Sequence, residues 1–395
     1  MKYDFDELIE RRGTGCVKWD AAPHQTGDSL PSEDIIPLWV ADMDFKAAPA
    51  ILEAVRKRAE HGVFGYTEVS EDYYDAVISW FQRRHQWTIH REEIHYTTGV
   101  VPAMSVAVKA LTMPGEKVLI LSPDYNCFFS SIRNNGCEVS ECVLQYSHNG
   151  LFEIDFDDFE AKCADEKTTV FLLCNPHNPT GRVWTKSELM RMNDICLKHG
   201  VKVVSDEIHC ELIMPGHHFQ PFAAVSEQCR QNCVILNSPS KSFNIAGLMM
   251  ANIICARPDW RRRIDRAINI NEVCDVNPFA PEAVKAAYNE SEDWIDALNL
   301  YLWDNYQELC SFAAEHLPEW KVRPLEGTYL PWVDITATGM TAQEYADYVM
   351  REAHVWVNPG TMYGPQSGEG YIRLNIACPR SRLIEALGRI GKLKN

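Results

Sequence analysis

The stretch Asn237-Ser238-Pro239-Ser240-Lys241-Ser242-Phe243-Asn244-Ile245-Ala246-Gly247 follows directly on Cys233-Val234-Ile235-Leu236. Those four apolar residues have the length and composition of a buried strand, so the polar cluster begins where the strand ends. Two hydroxyls, Ser238 and Ser240, flank Lys241 in the turn. Hydroxyls and free backbone N–H groups hold phosphates, and a lysine in the same turn can form a Schiff base with a carbonyl. Serine, lysine and asparagine are also ordinary loop residues, so the turn takes its meaning from its surroundings.

Upstream, the same pattern recurs. Lys117 to Ser122 reads as a strand ending at Pro123, with Tyr125 just beyond. Thr168 to Cys174 runs into Asn175-Pro176-His177-Asn178-Pro179-Thr180-Gly181, and Val201 to Ser205 into Asp206-Glu207-Ile208-His209. A helix between the last two is announced by the capping pair Thr185 and Glu188 and closed by Gly200. Apolar runs alternating with amphipathic stretches predict an α/β fold with a parallel sheet covered by helices. Ligands of such sheets sit at the carboxyl ends of the strands. Tyr125, Asn175, Asp206 and the Ser238 to Lys241 turn therefore converge on one rim.

That set suits pyridoxal phosphate. A carboxylate, Asp206, holds a proton on the ring nitrogen; Asn175 reaches the phenolic oxygen; Tyr125 stacks on the ring. Lys241 is the Schiff-base residue and, once displaced by substrate, a general base close to Cα. An amino-acid carboxylate calls for a bidentate arginine. Arg373, in Tyr371-Ile372-Arg373-Leu374-Asn375, is the candidate, with an outward arginine on an edge strand as the ordinary alternative.

Residues 1 to about 45 read as an extended arm, with turn residues at Gly13, Gly15 and Gly27 and prolines at Pro23, Pro31 and Pro37. The arm carries Leu38-Trp39-Val40-Ala41-Asp42-Met43-Asp44-Phe45, either packed on another surface or a plain strand. A helix from Pro49 with Ile51, Leu52, Val55 and Ala59 on one face stops at Gly62. Phe64-Gly65-Tyr66-Thr67 follows, then a helix from the N-cap Ser70 through Trp80 and Phe81. Gly99-Val100-Val101 opens a helix to about Met113, and its first N–H groups can take an anion or simply be capped. Beyond Pro258, helices span Asp259 to about Ile268, Pro281 to Tyr288 and Glu292 to His316. A smaller α/β unit closes the chain, with strands near Tyr329 to Asp334, Val355 to Val357 and Tyr371 to Ala377, and a helix capped by Thr341 and Glu344.

Composition narrows the function. At 395 residues the chain exceeds a single core. The expected division is 1–45 as N-terminal arm and part of a small domain, 46–285 as a large cofactor-binding domain, and 286–395 as a C-terminal small domain. A net charge of -17 argues against nucleic acid. The 14 cysteines form no C-x-x-C pair and the acidic opening Met1-Lys2-Tyr3-Asp4-Phe5-Asp6 lacks an apolar signal region, which predicts reduced thiols in the cytoplasm. Neither Cys229 with Cys233 nor His217 and His218 near Cys210 has zinc-ligand spacing, so no metal is expected. No run of 18 apolar residues predicts a membrane span.

In order and spacing, Asn175-Pro176 to Gly181, Asp206 to His209, Ser238 to Lys241 and the arginine strand resemble the fold type I pyridoxal-phosphate enzymes of aminotransferase class I/II. More narrowly, Trp39 to Phe45, Asp206 to His209 and Ser240 to Ile245 resemble the cystathionine β-lyase branch, which includes the maltose-regulon modulator lyases. The resemblance implies a large domain with a mainly parallel seven-stranded sheet between helices, plus a smaller α/β domain. It implies a homodimer in which Tyr66 reaches the partner's cofactor phosphate while the backbone of Val100 and Val101 binds phosphate in the same chain. It also implies cofactor contacts from His209, Ser238 and Ser240 and a substrate contact at Ala41. His209 stands where many aminotransferases carry a tyrosine, and Met249 where many carry a phosphate-binding arginine. The expected reaction is β-elimination from cystathionine or related cysteine S-conjugates, giving thiol, pyruvate and ammonia, with Tyr66 or Tyr125 protonating the leaving thiolate. An aminotransferase and a regulatory binding protein on the same scaffold, with a basic protein partner, are the alternatives.

Overall fold

The computed structural model describes residues 2–21, 34–147, 150–270, 272 and 274–393. The arm residues Pro23, Gly27 and Pro31 lie outside the described residues.

Seven strands form the central sheet: β1 (Ile94–Thr97), β2 (Lys117–Ser122), β3 (Glu138–Val143), β4 (Thr168–Cys174), β5 (Lys202–Asp206), β6 (Cys233–Asn237) and β7 (Ala251–Ile254). Their order is β1-β7-β6-β5-β4-β2-β3. β3, β2, β4, β5 and β6 pair in parallel, whereas β7 pairs antiparallel with both β6 and β1. Successive residues of a strand point to opposite faces, and here both faces are covered. Leu119, Leu121, Phe171, Leu173, Val203 and Ile235 enter one core, while Val118, Ile120, Val170, Leu172, Val204 and Val234 enter the other. That two-sided burial is why these strands read as unbroken apolar runs.

The helices follow the same logic. α1 (Pro49–His61) starts on its proline and ends at Gly62 in a left-handed conformation, and α2 (Glu71–His85) starts after Ser70. α3 (Val100–Leu111) buries Ala103, Met104, Ala107, Val108 and Leu111 against the second core, beside α4 (Pro258–Ile270) with Trp260, Ile264, Ala267 and Ile268. α3 stops two residues short of the expected Met113. The helix over Lys186–His199 has the expected capping pair Thr185 and Glu188, and Gly200 ends it at positive φ.

A second sheet of four strands, β8 (Lys321–Val322), β9 (Trp332–Asp334), β10 (Asn358–Pro359) and β11 (Tyr371–Arg373), has the order β8-β9-β11-β10. Its strands are shorter than the sequence predicts. Leu374 and Ile376 still bond the carbonyls of Pro331 and Tyr329, but Asn375 turns its N–H to Leu38, so the regular ladder ends at Arg373. The segment from Val355 does not join this sheet: Val355–Trp356 pairs in parallel with Ile36–Pro37.

The arm is not uniformly extended, since Val17–Asp20 makes a helical turn. Residues 38–45 form no strand either. Leu38, Met43 and Phe45 are buried in the first core, and Trp39 stacks on Trp356 with ring centroids 4.2 Å apart. Among the described residues, no helix is long and apolar enough to cross a membrane.

Candidate active site

The carboxyl ends of β5 and β6 and the amino end of α3 border a cavity of about 220 Å³. Ala41, Val100, Val101, Tyr125, Asp206, His209, Ser240 and Lys241 all line it, joined by Asn178 and Met249. Eight residues separated by up to 200 positions in sequence thus share one enclosure, because parallel strands present their carboxyl ends on the same edge.

Lys241 is held by a tightly wound turn. The Ser240 N–H donates to Ser238 Oγ at 3.1 Å and the Phe243 N–H to the Pro239 carbonyl at 2.9 Å. Asn244 adopts positive φ, a conformation asparagine tolerates, and its side chain donates to the carbonyls of Met43 and Phe45 at 2.9 and 2.8 Å. That clamp draws the 41–45 segment onto the lysine turn. The Ala41 carbonyl accepts from Lys241 Nζ at 2.5 Å and from the Tyr329 hydroxyl at 2.9 Å. Burial lowers the Lys241 ammonium to about 8, Arg373 pushing the same way against the opposing pull of Asp42 and Asp206.

Asp206, at the end of β5, is buried with one hydrogen bond to its carboxylate, from the Ile208 N–H at 3.1 Å. Burial raises its carboxyl to about 7. A buried carboxylate with so little compensation fits a cationic ligand atom. His209 is buried edge-on to Tyr329, its Nδ1 without a partner among the described residues, and burial depresses its imidazole to about 3, with Lys241 and Arg373 adding to the effect. It is neutral at physiological pH. The first N–H groups of α3 have no intrahelical acceptor, and the first turn carries no side-chain cap, so Val100 and Val101 offer an anion cradle beside Ser240.

Three candidates stand behind the cavity wall. The Ser238 hydroxyl donates to the Met250 carbonyl at 2.7 Å and so braces the turn. Asn175 donates from Nδ2 to the Gln220 carbonyl at 3.1 Å, leaving one amide hydrogen for another acceptor, while its backbone N–H bonds the Asp206 carbonyl. Arg373, on β11, is buried rather than turned outward; it donates to Asn178 Oδ1 at 3.1 Å and to the Trp39 carbonyl at 2.8 Å, and lies over the Tyr363 ring. Its Nε has no partner among the described residues. Tyr66 is remote from these groups in burial, being fully exposed. Met249 has positive φ and is exposed at the cavity edge.

Sequence reading missed Asn178 and Tyr329. Asn178 lay within the quoted Asn175 to Gly181 turn, but only the folded chain shows that it links Arg373 to the cavity. Gly181 closes that turn at φ +74° and accepts the N–H groups of Glu326 and Gly327, which ties it to the segment before Tyr329. Away from this cavity, His85, Cys210 and Glu211 offer ligand atoms within 4.8 Å of one another. Glu211 is already bonded by Trp80 and His85 and flanked by Arg84, so charge and hydrogen bonding account for that cluster.

The architecture and the rim cavity are those of the pyridoxal-phosphate-dependent transferase fold, type I. The family described as aminotransferase class I and II matches residues 33–390, and the chain belongs to that family. It is 41% identical over 387 residues to cystathionine beta-lyase PatB of Bacillus subtilis (strain 168), covering 98% of each chain. The crystal structure of cystalysin from Treponema denticola, which contains a pyridoxal 5′-phosphate cofactor, superposes with a TM-score of 0.95 at 36% identity, over 99% of this chain and 98% of that one. The pyridoxal-phosphate-bound C–S lyase from Staphylococcus hominis superposes with a TM-score of 0.90 at 33% identity, over 98% of each chain.

Proposed function

We propose that this chain is a pyridoxal 5′-phosphate-dependent carbon–sulfur β-lyase that cleaves cystathionine or related cysteine S-conjugates to thiol, pyruvate and ammonia. The observation that carries the reading is the poorly compensated pair at the cavity wall: a lysine whose amine titrates near 8 and a buried carboxyl near 7, beside an open helix N-terminus. Relatives named as cystathionine beta-lyase and C–S lyase support the choice of reaction.

Bound pyridoxal phosphate supplies the electron sink for the pair left when Cα loses its proton. Lys241 Nζ anchors the cofactor and, once released, takes the Cα proton; its lowered basicity keeps a working fraction neutral near pH 7. Asp206 would hold a proton on the ring nitrogen, and Asn175 and neutral His209 would bond the phenolic oxygen. Ser240 and the N–H groups of Val100 and Val101 hold the phosphate, with Ser238 fixing the Ser240 backbone. Arg373 takes the substrate carboxylate, positioned by Asn178 and the Trp39 carbonyl, with the Ala41 backbone alongside. Burial holds the Tyr125 hydroxyl well above its ordinary range, so it stays protonated and can stack on the ring or give a proton to the leaving thiolate. The working unit is a homodimer in which exposed Tyr66 reaches across to the other copy's phosphate, a role supported by its full exposure.

The test is incubation of the cofactor-loaded protein with L-cystathionine while pyruvate and free thiol are followed together. Equal amounts of both are expected. Conversion of the cofactor to its amine form with no pyruvate would replace this reading by an aminotransferase.

A further inference from the structure

Arg373 is a buried cation held by three neutral groups. Its Nη1 donates to Asn178 Oδ1 at 3.1 Å, its Nη2 donates to the Trp39 carbonyl at 2.8 Å, and its guanidinium carbon lies 4.7 Å from the centre of the Tyr363 ring. Other N–H groups, the Nε–H among them, are left for a carboxylate. Whether two of these meet both carboxylate oxygens depends on the plane in which the guanidinium is held. A residue that fixes this plane controls the grip on substrate without touching it.

Asn358 touches two of the three groups that hold Arg373. It stands directly opposite Arg373 in the antiparallel pair of β10 and β11, so the two side chains leave the sheet on the same face. Its Nδ2 donates to the Trp39 carbonyl at 3.0 Å and to the Tyr363 hydroxyl at 2.9 Å. The Trp39 carbonyl can only accept, which fixes the orientation of the amide and commits its second hydrogen to the hydroxyl oxygen. That carbonyl now has both lone pairs filled, by Asn358 and Arg373, and its direction is set. The Trp39 ring is anchored separately, by stacking on Trp356 and by its indole N–H on the Lys18 carbonyl at 3.1 Å, so what Asn358 adds is the aim of the carbonyl. Tyr363 is likewise held at both ends, since its own carbonyl accepts from the Asp124 N–H at 2.7 Å.

We infer that Asn358 is a positioning residue for recognition of the substrate carboxylate, a role that rests on Arg373 being the carboxylate's partner. It sets the guanidinium plane through the Trp39 carbonyl on one side and the Tyr363 ring on the other. The carboxylate stays bound while the bonds at Cα and Cβ change, so the loss of Asn358 is felt in binding. In Asn358→Leu, KM for L-cystathionine rises about tenfold while kcat stays within about threefold.

Visible-spectrum titration of the cofactor-loaded protein with L-norleucine and with pentylamine, the same amine without its carboxylate, separates this role from a structural one. Wild type is expected to bind norleucine at least about tenfold more tightly than pentylamine. Asn358→Leu is expected to weaken norleucine about tenfold and to leave pentylamine within about twofold. Equal weakening of both amines, or unchanged norleucine affinity, overturns the role of Asn358 and leaves that of Arg373 standing. No preference for norleucine in the wild type overturns the reading of Arg373 itself. Should Asn358→Leu fail to fold, Tyr363→Phe keeps the ring and removes only the hydroxyl that Asn358 holds; a selective loss of about threefold for norleucine is expected there, and its absence overturns the inference.

Discussion

Two lysines meet the same short segment with opposite results. Lys18 is fully buried and its ammonium lies 2.8 Å from Asp44 Oδ2 and 3.7 Å from Asp42 Oδ1. Lys241 touches the same segment at the Ala41 carbonyl, one residue before Asp42, and forms no ion pair among the described residues. Asp44 also accepts from Arg11 and from the Trp19 indole, so the arm beneath the cavity is a closed network of charges. A carboxylate at contact distance makes Lys18 half of a buried ion pair, whereas Lys241 meets a neutral carbonyl and burial lowers its ammonium. One segment thus secures the fold with its acids and keeps the reactive amine in place with its backbone.

The largest break in that comparison is Lys241→Ala. Pyruvate release from cystathionine falls at least about 10³-fold, measured by a coupled assay, because anchor and base are lost together. The urea midpoint does not fall, since no ion pair is removed. Asp44→Ala acts the other way: it leaves Lys18 buried without its carboxylate and costs about 3–5 kcal/mol in urea denaturation. Lys18→Met in the same chain recovers part of that loss.

Acidity separates the two sites further. Uptake of pyridoxal phosphate by apoprotein requires a neutral Lys241 amine. Its rate, followed by visible absorbance, rises with pH, reaches half of its maximum at about 8 and levels above that. Asp44 has a carboxyl held below its ordinary range, where Lys18, Trp19 and Arg11 overcome the raising effect of burial. Its contribution to stability is present above the unfolded value and lost as pH falls through the lower folded one. Acid titration of the wild type therefore shows a destabilising step that Asp44→Asn lacks. The smallest effect is expected from Asp42→Asn. Asp42 raises the Lys241 amine from a distance, so its removal shifts the uptake profile to lower pH.

Legibility in the sequence tracked burial. β2, β4, β5 and β6 are covered on both faces and read as apolar runs, so their carboxyl ends, and with them Tyr125, Asn175, Asp206 and Lys241, could be placed on one rim. β3 is half-exposed and carries Glu138, Ser140 and Glu141, and β1 carries His95; neither has the period or the apolar run that marks a strand. β7 passed unnoticed beside the lysine turn, and its reversed direction is a matter of pairing alone. The short ladder of Ile36–Pro37 with Val355–Trp356 joins residues more than three hundred positions apart, which no local pattern announces.

The sequence by itself determined the elements and the chemistry at their ends, because helix caps, apolar periodicity and strand-end residues act within a few positions of one another. Tertiary structure alone decided which groups are compensated. Lys18 and Lys241 look alike in the chain. What separates them is whether a carboxylate from a distant turn comes within 3 Å, because in a low-dielectric interior the strength of an ion pair is set by that separation.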